Sequence, residues 1–353
     1  MNPRLILKSA RNIKIATATK INRALGREFI PAQRNLLSIE TSSICNLKCH
    51  FCAYPKKLSP KVVMSNDFFR DSINQALELG YKSFDLTPCT GDVFMDRNIL
   101  DKLIYLDENP QVCGYSFHTN FTVPQRQDID RLVSMKKFTD LHISIYGYDL
   151  ESFVAMTQGP EKLYERLISN LEHLLASTEN RPLPVNFAFH TAAKSLAHKK
   201  SALIDILKKF ELAGASVRVQ KRLYNNWGGF ITAEDVKHLP ITVLGEDMIN
   251  KNGACVRLFT QIQIMASGIV NGCACRDADA TLQLGDLHHA SLKDIVSARN
   301  PEYMKLIDEQ QAGNFRPVCR SCDFYSSIYH KGSSYRKADV ELQSLAEFKA
   351  SLP

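Results

Sequence analysis

The chain has 353 residues, 44% of them hydrophobic and 23% charged, with ten cysteines and a formal net charge of +7. This composition builds a sizeable core in one large domain or two, and it excludes a disordered or collagen-like chain. Ten cysteines at this length are too few for a secreted disulfide scaffold, no apolar run approaches the ~18 residues that span a bilayer, and no apolar signal core opens the sequence. A cytoplasmic, reducing location is expected.

From Met1 to Arg27 the sequence carries Arg4, Lys8, Arg11, Lys14, Lys20, Arg23 and Arg27 and no acid. The apolar residues there are only roughly helical in spacing. A basic helix packed on the body, with a solvated face, is the expectation; contact with an anionic membrane surface is the alternative. Basic residues without interleaved aromatics give no sign of nucleic-acid binding.

Next comes a β-rich run, Leu36 to Thr41, and then Cys45-Asn46-Leu47-Lys48-Cys49-His50-Phe51-Cys52, a C-x3-C-x2-C loop. Strands and helices then alternate, the pattern of a parallel α/β domain. Helices are expected at Asn66–Leu79, Asn98–Leu106, Asp128–Met135, Tyr164–Leu175 and about Ala197–Leu212. Strands are expected at Lys82–Thr87, Gly114–Thr119, Leu141–Ile145, Pro184–Phe189 and Ser216–Gln220, six in all with the first. The turn-rich Asn225–Gly229 reads as a domain boundary. Beyond it, Thr260–Met265 alternates like a strand, and Ala266–Val270 reads as a turn and return. Such a hairpin brings Cys255 and Cys273 together, and Cys319-Arg320-Ser321-Cys322 adds two more thiols. Four thiolates satisfy a 4Fe–4S cluster or a zinc ion. Cys275 reads as a spare that would replace Cys273 if the register differed, and Cys89 and Cys113 read as core thiols.

Three cysteines on a short loop hold three irons of a cubane and leave the fourth open to a small molecule. With Phe51 before the last cysteine, the loop resembles the signature of the radical S-adenosylmethionine (SAM) enzymes. A zinc knuckle completed by His50 is the other reading. The resemblance implies a partial six-stranded (β/α)6 barrel, with Cys45, Cys49 and Cys52 holding a 4Fe–4S cluster whose open iron binds SAM. In such enzymes SAM is cleaved reductively to a 5′-deoxyadenosyl radical that abstracts hydrogen from substrate. Thr90-Gly91-Asp92, after the second strand, resembles the family's Gly-Gly-Glu motif for the SAM amino group, with Thr and Asp as departures. Asn120 and Ser144, after the third and fourth strands, resemble its ribose and carboxylate contacts. His190, Lys221 and Arg222 follow the fifth and sixth strands, and His190 and Arg222 are the candidate catalytic side chains.

Cys255, Cys273, Cys319 and Cys322, with Gly268 and Leu284–Leu287, resemble the SPASM/twitch auxiliary iron–sulfur domain in its shortened, one-cluster form. The resemblance gives an order of residues 1–35 as a basic helical segment, 36–228 as the partial barrel, 229–335 as a small auxiliary-cluster domain and 336–353 as a tail. It implies two 4Fe–4S clusters, SAM, and an electron donor such as flavodoxin or ferredoxin. The one-auxiliary layout is similar to that of the 2-deoxy-scyllo-inosamine dehydrogenases, which oxidise a secondary alcohol. Oxidation of a small polar metabolite, a sugar or cyclitol alcohol, is therefore expected. The alternatives are a SPASM-type peptide-modifying maturase, against which stand the few residues before the first strand, and a non-catalytic zinc-stabilised binding protein.

Overall fold

The computed structural model describes residues 3–178, 183–245, 249–332 and 340–353, with side chains from residue 12 onward. Six parallel strands form the body: β1 (Leu36–Ile39), β2 (Ser83–Asp85), β3 (Gly114–Thr119), β4 (Phe138–Tyr146), β5 (Val185–Thr191) and β6 (Ser216–Lys221). They pair in sequence order, and β1 and β6 do not meet, so the barrel is partial and open. Three further strands, β7 (Gln263–Ile264), β8 (Ile269–Asn271) and β9 (Gln283–Asp286), extend the same sheet beyond β1. β7 lies parallel to β1, Gln263 opposite Ser38 and Ile264 opposite Ile39, and the β7–β8 pair is the expected antiparallel hairpin.

The strands sort their side chains with period two. Leu141, Ile143 and Ile145 of β4 and Val185, Phe187 and Phe189 of β5 are buried under the helices, as the Phe187–Phe210 ring contact shows. The alternate set, His142, Ser144 and Tyr146 on β4 and Asn186, Ala188 and His190 on β5, is half-buried and lines the other face. That inner face is polar, and the site is built on it.

The helices are α1 (Pro3–Ala24), α2 (Asn66–Glu78), α3 (Ile99–Glu108), α4 (Arg126–Ser134), α5 (Leu150–Thr157), α6 (Glu161–Thr178), α7 (Ala202–Leu212) and α8 (Pro301–Gln311), besides shorter turns. Their starts follow capping chemistry: Ser65 accepts from the Phe68 N–H and Ser201 from the Ile204 N–H. In α2, Phe69, Ser72, Ile73 and Ala76 make the buried stripe of an amphipathic helix. α5 was not expected from the sequence; only eight residues long, it begins at a capping box on Asp149 and ends with Gln158 in the left-handed region at φ 56°.

The end of α1 is tied to the C-terminal part of the chain. Asn22 donates to the Tyr329 carbonyl at 2.9 Å and Arg23 to the Gln311 carbonyl at 2.7 Å, whereas Ile13, Ile21 and Leu25 stay exposed. Residues 340–353 are likewise packed in: Leu342 and Gln343 pair with Pro31 and Ile30, and Phe348 is fully buried against Phe259 and Tyr303. Among the described residues no helix is long and apolar enough to cross a membrane.

Candidate functional site: two thiol-lined centres on one sheet

The C-x3-C-x2-C loop leaves β1 at the C-terminal end of the strands, where βα loops carry chemistry in related barrels. It is held on three sides. The Lys48 and His50 N–H groups donate to the Thr157 and Met156 carbonyls at the end of α5, at 3.0 and 3.2 Å. Asn46 donates through Nδ2 to Thr122 Oγ1 at 2.8 Å, and Asn120 Nδ2 donates to Asn46 Oδ1 at 2.9 Å. Below, the Asp92 N–H donates to the Ile44 carbonyl at 2.8 Å.

That last contact explains Gly91. Its φ is +148°, and a Cβ there would lie 2.6 Å from the Ser42 carbonyl oxygen, closer than any side chain permits. The loop bearing Gly91 is fixed further on by a fully buried Lys102–Asp96 ion pair, whose ammonium also donates to the Met64 carbonyl at 2.6 Å.

Burial, then the mutual repulsion of neighbouring charges, pushes the Cys45 and Cys49 thiols far above their usual range. Burial pushes Cys52 up to about 11. Three crowded thiolates with few compensating cations call for a strongly positive group among them, as an iron–sulfur cluster provides. N–H groups already face the sulfurs: Leu47 N to Cys45 Sγ at 3.4 Å and Tyr54 N to Cys52 Sγ at 3.5 Å.

The expected SAM contacts divide. Thr90 is buried, and its Oγ1 has no hydrogen-bond partner in the protein, an atom left for a ligand. Ser144 is half-buried on the inner face of β4. Asp92 is engaged inside the protein: its carboxylate accepts from Phe94 N, Thr119 Oγ1 and Asn120 N, and burial raises its pKa to about 6. Asn120 is engaged too, its Nδ2 on Asn46 and its Oδ1 accepting from Thr122. Both brace the cysteine loop.

His190 reaches the loop directly. Its ring stacks on Phe51 at 6.3 Å and lies beside Tyr146 and Tyr224; burial lowers its pKa to about 4, and its Nδ1 has no partner. Arg222 does not join it, contrary to expectation. Its backbone turns into the left-handed region at φ 59°, and its exposed side chain donates through Nε to the Pro240 carbonyl at 2.7 Å.

The sequence reading missed two further histidines. His118 of β3 and His142 of β4 are paired in register, with rings stacked 4.2 Å apart at 6°. Thr87 lies beside them: its Oγ1 is hydrogen-bonded to Asp85 and stands 3.0 Å from His118 Nδ1. With Thr87 donating to Asp85, Nδ1–H of His118 donates to Thr87 and Nε2 keeps its lone pair. His118 is solvent-accessible, yet desolvation and then the neighbouring His142 and His190 lower its pKa to about 3. The available signal was strand register: His118 stands two residues before Asn120, and His142 two before Ser144.

The second centre is a space whose walls include Cys255, Cys273, Cys275, Cys319, Cys322, Arg276, Gln310 and Phe324. The hairpin, the segment at 255 and the short helix Pro317–Ser321 supply the thiols. Gln310 joins two of them, accepting from Cys255 N at 2.8 Å and donating to Cys319 Sγ at 3.2 Å. Cys273 Sγ accepts from Cys275 N at 3.4 Å and Cys322 Sγ from Phe324 N at 3.3 Å, whereas Cys275 Sγ turns to Gln261 Oε1 at 3.4 Å. Among the described residues no three His, Cys, Asp or Glu side chains are grouped to hold a single metal ion. Thiols around a space suit a multi-iron cluster better than one zinc.

The comparisons agree with this geometry. The radical SAM superfamily model matches residues 39–180, and the SPASM model, an iron–sulfur cluster-binding domain, matches residues 255–323. The chain carries a radical SAM domain and a SPASM domain, and these domains imply 4Fe–4S clusters and SAM. No curated protein matches the sequence. Among solved structures, BtrN in complex with AdoMet and 2-DOIA aligns with a TM-score of 0.52 at 13% identity, over 85% of this chain and 96% of that one. Streptococcus suis SuiB bound to precursor peptide SuiA aligns at 0.53 and 15%, over 93% and 78%. anSMEcpe with AdoMet and the Kp18Cys peptide aligns at 0.51 and 14%, over 90% and 96%. At these identities the likeness is one of fold.

Proposed function

We propose that this radical SAM enzyme is an oxidoreductase acting on a small, hydroxylated metabolite such as a sugar or cyclitol alcohol. The observation that carries this reading is the Asp85–Thr87–His118–His142 group on the inner face of β2, β3 and β4, a hydrogen-bonding surface for hydroxyls. The BtrN structure, a complex with AdoMet and 2-DOIA, is consistent with a small-molecule substrate.

In this reading Cys45, Cys49 and Cys52 hold the first cluster, and Cys255, Cys273, Cys319 and Cys322 the auxiliary one. Held there, the first cluster with SAM would supply hydrogen-abstracting radical chemistry, and a cluster at the second centre would supply an electron acceptor. Thr90 Oγ1, with the backbone around Gly91, faces SAM, and Ser144 contributes from β4. Asp92 and Asn120 position the cysteine loop from behind. His190, neutral and against Phe51, closes the space beside the cysteine loop. His118 Nε2 accepts a hydrogen bond from the substrate hydroxyl, whose proton leaves to solvent, so hydrogen atom, proton and electron each have a destination.

The test is reconstituted holoprotein with SAM, a reductant and panels of cyclitols, sugar alcohols and peptides. Substrate-dependent 5′-deoxyadenosine release, with a product two mass units lighter than an alcohol, is expected. Turnover confined to peptides would replace the reading with a maturase, and absence of SAM cleavage would sink it.

A further inference from the structure

α1 has two unlike faces. Thr19 is buried, and Asn22 donates to the Tyr329 carbonyl, so one side rests on the body. Arg23 strengthens that anchor, donating to the Gln311 carbonyl at 2.7 Å with its guanidinium 5.6 Å from the Tyr329 ring centroid.

The opposite side is apolar where solvent would ask for polar groups. Ile13, Thr17, Ile21 and Ala24 follow at steps of four, four and three, the spacing of a single helix face, and all four are exposed. Ile13 is 65% exposed and Ile21 54%, whereas a helix serving only to pack on its own body turns such residues inward. In the sequence, Ile6 and Ala10 continue the same spacing. By helical phase Lys20 and Lys14 border the stripe, one on each edge, and both are exposed. From Met1 to Arg27 seven Lys or Arg stand without one acid.

We propose that this outer face of α1 docks on an anionic phospholipid surface. The aliphatic stripe enters the boundary between acyl chains and headgroups, and the bordering lysines meet the headgroup charges. Such a boundary takes a straight row of side chains without a matching pocket. A second copy of the chain would instead set like charges against each other across the stripe. Because the stripe points away from the Thr19 and Asn22 side, α1 docks without leaving the body. The inference rests on neither thiol centre.

The test is co-sedimentation of the full-length protein with vesicles of phosphatidylcholine alone and of phosphatidylcholine mixed equally with phosphatidylglycerol. Binding to the anionic vesicles and not to the neutral ones, weakening as salt rises, is expected. Ile13→Ser/Ile21→Ser and Lys14→Gln/Lys20→Gln each lower the vesicle partition coefficient on the order of tenfold. Melting temperatures stay near wild type, since all four side chains are exposed. Binding that is absent, equal on both vesicles, or unchanged in either double variant overturns the proposal. Retention on immobilised polyglutamate without vesicle binding gives the face to an acidic protein and overturns it too. So do isoleucine-dependent dimers, seen by light scattering, in a protein that ignores vesicles.

Discussion

The two thiol centres are made by opposite means. The first takes its three cysteines from eight consecutive residues, so its spacing is written in the chain, and the fold only braces it through Gly91, Asp92, Asn120 and the end of α5. The second collects Cys255, Cys273, Cys319 and Cys322 from three segments that are neighbours only once the hairpin and the short helix Pro317–Ser321 have packed. A local site survives loss of its metal as a loop. A dispersed site is itself a tertiary cross-link, and metal there contributes to folding.

The largest effect that tests this contrast is on chemistry. Cys45→Ala/Cys49→Ala/Cys52→Ala is expected to abolish SAM cleavage and to halve iron from about eight to about four per chain, with little change in melting temperature. Cys319→Ala/Cys322→Ala is expected to remove a similar share of iron and also to lower the melting temperature clearly; equal thermal behaviour of the two variants breaks the comparison.

The bracing of the first site is probed next. Gly91→Ala drives a Cβ against the Ser42 carbonyl and is expected to cost about 2–4 kcal/mol, read by denaturant unfolding, with loss of iron confined to the first cluster. Asp92 carries a pH signature. Its folded pKa, about 6, lies above the ordinary value of 3.8, so the native state binds the extra proton between these values. Stability of the apoprotein is then greatest below the lower value and falls as pH rises through the upper one, by about 2–3 kcal/mol from this group. Asp92→Asn is expected to flatten that slope in denaturant midpoints measured from pH 4 to 7. The smallest effect belongs to Cys275→Ser, for which unchanged iron content is expected beside a loss of auxiliary iron in Cys273→Ser.

The legibility of the two regions in sequence follows the same contrast. All six barrel strands were readable, β4 and β5 because alternation persists along them and the others as short β-rich runs set between helices, and the cysteine loop because its ligands are contiguous. α5 was not, since eight residues carry little periodic signal, although it anchors Lys48 and His50. Asp92 and Asn120 were read as ligand contacts, but their hydrogen bonds go to the protein, which depends on which way each side chain turns. Arg222 was placed by strand order, and a single left-handed residue sent it elsewhere. His118 and His142 needed register across two strands, which is not a property of a local window.

The pairing of β7 with β1 also sets a clock for synthesis. β1 emerges early, but the strand that covers its outer edge, Gln263–Ile264, follows 224 residues after Ile39. At about 5–20 residues per second on the ribosome, that edge waits roughly ten to forty-five seconds for its partner. For that interval the nascent chain carries an uncapped strand beside three unligated thiols. The cell's chaperones and cluster-delivery machinery therefore meet the first centre before the second exists.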